Sequence, residues 1–459
     1  MKTEKGKHND TAQVTPPPAT APRNKWLSVA VILARIVVGA VFIFSGVVKL
    51  IDPVGTMYKI EDYLTVLNLA FFKPSALIAS CLLSLFEFVL GINVLLGSYL
   101  RTTPVLLFIF MVVMTPLTLF LAITNPIPDC GCFGDAVMLT NWETFAKNVL
   151  LLALSIFLLL YNRRSQSVFH REIHALIVSW AVIFAAIVTY VGVVSMPIID
   201  FRPYTLGTDL AAAYYDEDVA DAEYDFLYER EGEQCLFTLD SLPDASEGWQ
   251  FVERIERTPA AESPGDDYDY FAIYDGNDDV TGEILDHEGY LFMLFVSDVV
   301  TSDDDNVSMI HELYDYCNEY DYPFYAITAS SPQEVDSWLD DIGGDYSFLF
   351  MDRTTIRTIA RNNPFVMILK DGVIYHKLPI ASLPGEEILV ESFENIEYYG
   401  SPGTYSPRNR ILLMAVVLFL PILLIYFTER IALFVLRSVR KWIADKKEKA
   451  KNNNNTKNQ

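Results

Sequence analysis

Six apolar stretches divide the chain, and each is long enough to cross a bilayer as a helix, for which about 20 residues suffice. They lie at residues 27–48, 75–98, 104–124, 145–161, 173–196 and 411–428. The fourth and sixth are short, and the sixth contains Pro421, so its backbone needs partners from neighbouring protein or a local kink. A buried core helix is the alternative for each stretch. The pattern predicts a multi-pass α-helical membrane protein with six spans in a lipid bilayer.

A second pattern, typical of an α/β sheet, follows the fifth span, because short apolar runs alternate with short amphipathic ones. Strands are predicted at residues 268–275, 290–297, 324–330 and 348–352 and in a hairpin over 364–378, and helices near 307–320, 332–342 and 353–362. Lys370-Asp371-Gly372 supplies the hairpin turn. The Asn363-Pro364 bond makes Pro364 a candidate cis-proline, since cis bonds occur almost entirely before proline.

Charge separates the two patterns. The 459 residues carry a net charge of −25, but residues 200–405 hold 46 Asp and Glu against 9 Lys and Arg, whereas the rest hold 13 against 25. An acidic surface repels phosphates, so no nucleic-acid partner is expected. Residues 200–267 contain short strand-like runs and predict a small β-rich segment, whose charge fits a solvated surface better than a specific cation site.

Lys and Arg residues beside the spans indicate the orientation. They concentrate in the N-terminal tail (1–26), in the loops after the second and fourth spans, and in the C-terminal tail (429–459). The positive-inside rule therefore predicts cytoplasmic termini in an inner membrane, with residues 200–405 in the periplasm. The first span lacks a small-residue cleavage site, which favours an uncleaved anchor. The Asn-rich end of the chain is predicted to be disordered, with contact to anionic lipid as the alternative.

Two charged residues lie inside predicted spans. Arg35 is nine residues into the first span, and Glu87 is about eleven residues before the end of the second. Because these spans are antiparallel, the count puts both residues at similar depth, where an isolated charge is costly. We therefore predict an ion pair between Arg35 and Glu87 that faces the bundle interior. A proton-linked or quinone-linked site is the functional alternative, and no other cofactor is indicated.

The loop between the third and fourth spans carries the most reactive side chains. Its sequence NPIPDCGCFGD places Cys130 and Cys132 one residue apart on the predicted outer face, and Gly131 lets the backbone bend so that the sulfurs can meet. A disulfide in so small a ring would be strained, and therefore labile or catalytic. Two alternatives to a redox pair stay open: reduced thiols packed in the loop, and a metal site, for which the outer Cys and His residues show no ligand spacing.

The four-span region resembles a known family. The run ARIVVGAVFIFSGVVKLIDP (residues 34–53) and the motifs DCGCFGD and LTNWETFAKN before the fourth span are similar to DoxX-like and methylamine-utilisation MauE-type membrane proteins. We treat residues 27–162 as this four-helix bundle. The resemblance implies an inner-membrane protein associated with periplasmic thiol-disulfide chemistry or respiratory electron flow, and it gives the redox role to Cys130 and Cys132.

The element order of residues 268–385, with a proline before the hairpin, resembles a thioredoxin-like fold. Thioredoxin-like enzymes carry a CxxC after the first core strand, whereas this place reads SDVVTSDDDN and holds no cysteine. Cys317, near the end of the next helix, is interpreted as a buried structural thiol. The outer domain is therefore expected to bind or position a partner without catalysing a reaction itself.

Together these patterns predict a membrane thiol-disulfide redox partner or electron conduit that serves a periplasmic thiol/disulfide protein or a respiratory component. The alternative is a non-enzymatic scaffold that anchors an acidic binding domain to an envelope complex. The sequence has no P-loop, HExxH, GxSxG or dinucleotide glycine motif, so nucleotide hydrolysis, zinc proteolysis, α/β-hydrolase chemistry and dinucleotide use lack support. Whether the protein is an enzyme depends on the cysteine pair.

The charge count makes a direct prediction about topology. After Arg164 or after Lys451, a reporter that works in the cytoplasm should be active and one that works in the periplasm should be inactive. Near Gly265 the opposite result is expected. Paired alkaline phosphatase and fluorescent-protein fusions measure this. Two termini on the outer side would contradict the orientation and the compartment expected for the cysteines.

Overall fold

The computed structural model describes residues 25–127, 131–162, 166–215, 224–230, 233–238, 243, 249–256, 271–276, 278–302, 306–383, 392–393 and 407–457. Within these residues, six helices are long and apolar enough to cross a membrane. They are Trp26–Ile51, Ala70–Leu96, Thr102–Thr124, Asn141–Tyr161, Arg171–Val194 and Arg408–Lys447. The predicted multi-pass helical membrane protein with six spans is confirmed.

The first part of the chain is a bundle of helices. Its elements are α1 (Lys25–Ile51), α2 (Pro53–Val66), α3 (Ala76–Leu96), α4 (Thr102–Thr124), α5 (Asn141–Tyr161) and α6 (Arg171–Val194). The short helix α2 follows α1 directly, because Asp52 caps it by accepting a hydrogen bond from the Gly55 amide at 2.8 Å and Pro53 suits its first turn. We call the side of the bundle that carries α2 and the sheet domain the domain face, and the opposite side the tail face.

Glycines bring α1 and α3 into close contact. A Cβ atom at Gly46 would lie 2.6 Å from the Phe88 amide nitrogen, and one at Gly39 would lie 2.8 Å from Leu95 Cβ. Small residues at such positions let two helix backbones approach closely. The two contacts also define the antiparallel register, since Gly46 lies opposite Phe88 and Gly39 opposite Leu95.

The acidic segment contains a three-stranded antiparallel sheet with the order β2-β1-β3. Its strands are β1 (Tyr224–Arg230), β2 (Glu233–Thr238) and β3 (Gln250–Glu256). These strands lie within residues 224–256 of the segment expected to be β-rich (200–267), whereas Leu210–Tyr214 in the same range form a helix.

A seven-stranded sheet with the order β10-β9-β6-β7-β8-β4-β5 forms the core of the outer domain. The central strands β6, β7 and β8 are parallel, and β9 is antiparallel to both β6 and β10. The strands are β4 (Tyr274–Asp275), β5 (Asp278–Asp279), β6 (Tyr290–Val296), β7 (Phe324–Thr328), β8 (Phe348–Phe350), β9 (Phe365–Lys370) and β10 (Val373–Pro379). The helices are α7 (Leu210–Tyr214), α8 (Thr281–Leu285), α9 (Val307–Glu319), α10 (Pro332–Ile342) and α11 (Arg353–Ile359).

The predicted strand over residues 268–275 is the main difference in this domain. Residues 268–270 lie outside the described part, and within the described residues of this range only β4, which lies between β8 and the edge strand β5, is a strand. Ile273 does not pair with a neighbouring strand, because its amide donates to Thr281 Oγ1 at 2.7 Å and its carbonyl accepts from the Val280 amide at 2.9 Å. The Asn363-Pro364 bond before the hairpin is cis.

The last helix, α12, runs from Pro407 to Lys457. Its 51 residues span about 76 Å at 1.5 Å per residue. Close to Pro421, the Trp180 indole nitrogen of α6 donates to the Leu418 carbonyl at 3.2 Å. The predicted disorder of the C-terminal tail is wrong as far as Lys457, because residues after the span include helix formers and no Gly or Pro that would end the helix.

Candidate functional site at the cysteine loop

A buried ion pair lies between α1 and α3 near the domain face. Lys49 Nζ is 2.9 Å from each carboxylate oxygen of Glu87, and Ser45 Oγ lies 2.7 Å from Glu87 Oε2. The Lys49 and Glu87 side chains are 6% and 7% exposed. Mutual neutralisation and the added hydroxyl offset the cost of desolvating each charge.

This arrangement corrects the predicted pair between Arg35 and Glu87. In the α1–α3 register Glu87 lies opposite residue 47, twelve residues from Arg35, which is about 18 Å along the helix. Arg35 instead donates to the carbonyls of Val94, Leu95 and Gln166 at 3.0–3.2 Å and so contacts the C-terminus of α3, where a cation is favourable. The count from span ends failed because α1 extends well past the end of α3 on the tail face.

The cysteine loop (residues 125–140) rests on the same part of α1. Ser45 Oγ lies 2.7 Å from the Cys132 carbonyl oxygen as well as from Glu87 Oε2. Its single hydrogen is directed to one of these two acceptors at a time, and the hydroxyl places the loop backbone beside the buried carboxylate. Next to it, the Phe133 ring packs edge-to-face on Phe44 with centroids 5.3 Å apart, and Lys147 Nζ lies 4.1 Å from its centre. The loop is therefore seated on two spans.

The backbone of the loop makes equally close contacts. Gly131 has φ +62°, and a Cβ there would lie 3.0 Å from Lys59 Cγ of α2; Gly134 has φ +53° and is as close to Val48. Cys132 is half-buried, and Cys130 lies outside the described residues, as do residues 128 and 129. The structure thus describes one of the two predicted redox cysteines, and the predicted disulfide falls on a segment that it does not describe.

Arg361 of the outer domain binds the cysteine loop and the start of α2. Its Nε donates to Asp52 Oδ2 at 2.9 Å, and its Nη2 donates to Asp135 Oδ2, three residues after Cys132. The side chain is 9% exposed, and nearby Arg357 stacks 4.3 Å from the ring centre of Tyr58 on α2. Burial tends to raise the pKa of Asp52, but the charges of Arg361 and Arg202 and the Gly55 hydrogen bond together lower that pKa below 3.8, so the pair is charged at neutral pH.

These contacts surround a bundle that a family model recognises. Residues 27–161 match the model for methylamine utilisation protein MauE. The bundle is therefore similar to MauE over these residues, which make up less than a third of the chain. The match begins with the span that carries Ser45 and Lys49 and includes the cysteine loop and α5.

A second family model matches a later part of the chain. Residues 222–258, which cover the three-stranded sheet, match a domain of unknown function, DUF8463. No curated protein and no solved structure matches the chain.

A second buried cluster fixes the segment that joins the helical bundle to the outer domain. Asp200 accepts from Arg202 Nε at 2.7 Å and from Lys377 Nζ at 2.8 Å. Lys377, on β10, also donates to the carbonyls of Tyr204 and Ile359. Burial alone would raise the pKa of Asp200, but the two cations lower it to about 2. The chain that leaves α6 is thereby held against the same corner of the sheet domain that presents Arg361.

The residues that follow β6 lie beside the Asn363-Pro364 bond. Asn363 Nδ2, beside the cis-proline bond to Pro364, donates to the Asp298 carbonyl at 2.7 Å just after β6. Cys317 is fully buried, and burial raises its pKa strongly, so its thiol is not a nucleophile. Among the described residues, no group of three or more His, Cys, Asp and Glu side chains is placed to hold a metal ion.

Sequence reasoning missed most of the residues that contact the loop. Ser45 and Lys49 are one helical turn apart on α1, and this spacing beside an intramembrane carboxylate was a usable signal. Asp135 belongs to the DCGCFGD motif itself. The contact of Arg361 with the loop could not be predicted from the sequence, because its partner Asp135 is 226 residues away in the chain.

We predict that substitutions at Lys49 and Glu87 have strongly non-additive effects on the free energy of unfolding. Lys49→Met or Glu87→Met alone leaves an unpaired buried charge and should lower the free energy of unfolding by about 3 kcal/mol, while the double variant should recover most of the loss. Thermal unfolding in detergent, followed by fluorescence-detected size exclusion, measures this.

The matched control for this cycle is Arg35→Met combined with Glu87→Met. These residues lie in separate networks, so their effects should add. Recovery in the Arg35 cycle with additivity in the Lys49 cycle would contradict the register described above.

Arg361 predicts a pH-dependent contact between the two parts of the chain. Arg361→Met should increase hydrogen exchange in α2 about tenfold or more, because Asp52 and Asp135 lose their buried partner. In the unchanged protein the contact should hold above pH 3.8 and weaken as the pH falls below that value, because the lowered pKa of Asp52 makes its charged form the bound one.

Arg353→Met is the control, since Arg353 pairs with Asp298 inside the outer domain and is 44% exposed. It should leave exchange in α2 unchanged. Equal exchange in α2 for the Arg361→Met variant and the unchanged protein would show that the ion-pair cluster does not hold the domain on the bundle.

Proposed function

We propose that this protein is an inner-membrane thiol-disulfide redox partner or electron conduit, in which Cys130 and Cys132 cycle on the periplasmic side. The observation that carries the proposal is that the cysteine loop is contacted from both directions. Ser45 links the Cys132 carbonyl to the buried Glu87, and Arg361 of the outer domain binds Asp135. A reactive loop benefits from supports of this kind, because its geometry is then preorganised.

The proposed step is an exchange between the loop disulfide and a partner dithiol. A thiolate of the partner attacks one sulfur of the loop disulfide, and a mixed disulfide forms as the other loop sulfur leaves as a thiolate. The second partner thiolate then attacks the partner sulfur of the mixed disulfide and releases the second loop thiolate. The loop ends as a dithiol, the partner as a disulfide, and two protons pass from partner to loop. The reverse exchange, in which a loop thiolate attacks the oxidised partner, passes through the same mixed disulfide.

The outer domain is proposed to be a thioredoxin-like docking domain without catalysis of its own. The order of its strands and helices from β6 to β10 supports this assignment. Residues 297–306, directly after β6, contain no cysteine, and Cys317 is buried with a raised pKa. We propose that the domain presents the loop to a periplasmic thiol/disulfide protein or a respiratory component.

A scaffold is the second candidate function. It is favoured by the extent of the contact between the domain and the bundle, where Arg361 and Arg357 bind the domain face directly. In that case the bundle would anchor the acidic domain beside an envelope complex, and the cysteine loop would be part of the support.

Differential alkylation of intact cells tests the redox proposal. Without reductant the loop thiols should be protected, and mild reduction should expose Cys130 and Cys132 together, because a strained disulfide is reduced easily. Mass spectrometry of the loop peptide measures the two added groups. The Cys132→Ser and Cys130→Ser variants should each trap a mixed disulfide with a partner, since the resolving thiol is missing.

Cys317→Ser is the matched control and should change neither alkylation of the loop nor trapping. Full alkylation of both loop cysteines without reductant, together with no trapped partner in either variant, would replace the redox proposal by the scaffold.

A further inference from the structure

The hydrogen bonds that join α12 to the bundle lie within a length of helix that equals about one bilayer thickness. Near the domain face Arg410 Nη1 donates to the Ile198 carbonyl at 2.9 Å. At the other end Glu429 Oε1 accepts from the His170 amide at 2.9 Å, and Arg430 Nη2 donates to the Val168 carbonyl at 3.1 Å. From Arg410 to Arg430 the helix rises about 30 Å, which equals the hydrocarbon thickness.

Beyond Arg430 the helix continues without support from the bundle. Within residues 431–447 every side chain except Leu433 is exposed, including Trp442 at 62%. Apolar side chains at Ile431, Val435, Val439 and Trp442 follow a spacing of four, four and three residues, so they form one stripe. A stripe of this kind in water is unfavourable unless something covers it.

Cations occupy the other side of this segment. Arg430, Arg437 and Lys441 lie roughly opposite the apolar stripe on a helix of 100° per residue. Across residues 430–447 there are six Lys and Arg residues against Asp445 as the one acidic residue. Lys446 lies on the apolar side but 5.0 Å from the ring centre of Trp442, where its charge is directed to the indole face.

We propose that residues 430–447 of α12 bind the anionic headgroups of the leaflet from which the helix emerges, with the apolar stripe in the acyl boundary. Charge complementarity selects this occupant, because basic amphipathic segments beside a span attract anionic lipid. Packing of the stripe against a second copy would bring two segments of net charge +5 together, which is unfavourable. The site does not depend on the cysteine chemistry.

Quenching of Trp442 by brominated lipid in nanodiscs tests the proposal on the full-length protein. The contribution of Trp442 is the difference between the unchanged protein and its Trp442→Phe variant. In brominated phosphatidylcholine, addition of phosphatidylglycerol should increase this quenching. The combined Arg437→Gln, Arg440→Gln and Lys441→Gln variant should lose at least about three-quarters of the increase, and salt should reduce it similarly.

A variant with Lys2, Lys5 and Lys7 changed to Gln removes the same charge elsewhere and should retain the increase. Val439→Glu should lower quenching in both lipids, because it interrupts the stripe. The proposal would be overturned if phosphatidylglycerol did not change the quenching, or if the two triple variants lost equal shares of the increase. Cross-links between two copies through a photoreactive residue at Phe434, at the expense of cross-links to lipid, would also overturn it in favour of self-association.

Discussion

The close contact between α1 and α3 determines where the charged groups of the bundle lie. Gly39, Gly46 and Gly91 bring the two backbones together and fix their register. That register puts Glu87 beside Ser45 and Lys49, and through the Ser45 hydroxyl it also positions the backbone of Cys132. A shift of one helical turn, about 5.4 Å, would separate all of these groups.

The distribution of charge in the outer domain follows from its contact with the bundle. Residues 200–405 carry 9 Lys and Arg in a strongly acidic segment. Four of them, Arg202, Arg357, Arg361 and Lys377, lie at the corner that meets the bundle and the chain entering from α6. Arg361 binds Asp52 and Asp135 of the bundle, Arg357 stacks on Tyr58, and Arg202 and Lys377 bind the buried Asp200. Nearly half of the cations of the acidic segment thus lie where it meets the bundle.

Structural elements that depend on neighbouring residues in the sequence could be predicted from the sequence. The six spans follow from hydropathy alone, and α10 follows from the Ser331 and Glu334 capping box after a buried strand. The partner of Glu87 was predicted wrongly, because span boundaries do not reveal how far antiparallel helices are offset. The Arg361–Asp135 contact joins residues that no periodicity relates, and the relevant information lies in how two separately folded parts meet.

The outer domain is inserted between two spans, since the chain enters it from α6 and returns to the membrane in α12. Both ends of the domain are thus covalently anchored within reach of the domain face. Its effective local concentration at Asp52 and Asp135 is then on the order of millimolar, the range for short tethers. A contact far too weak to hold two separate proteins together is populated under this double attachment, and it can be released and remade without loss of the domain from the site.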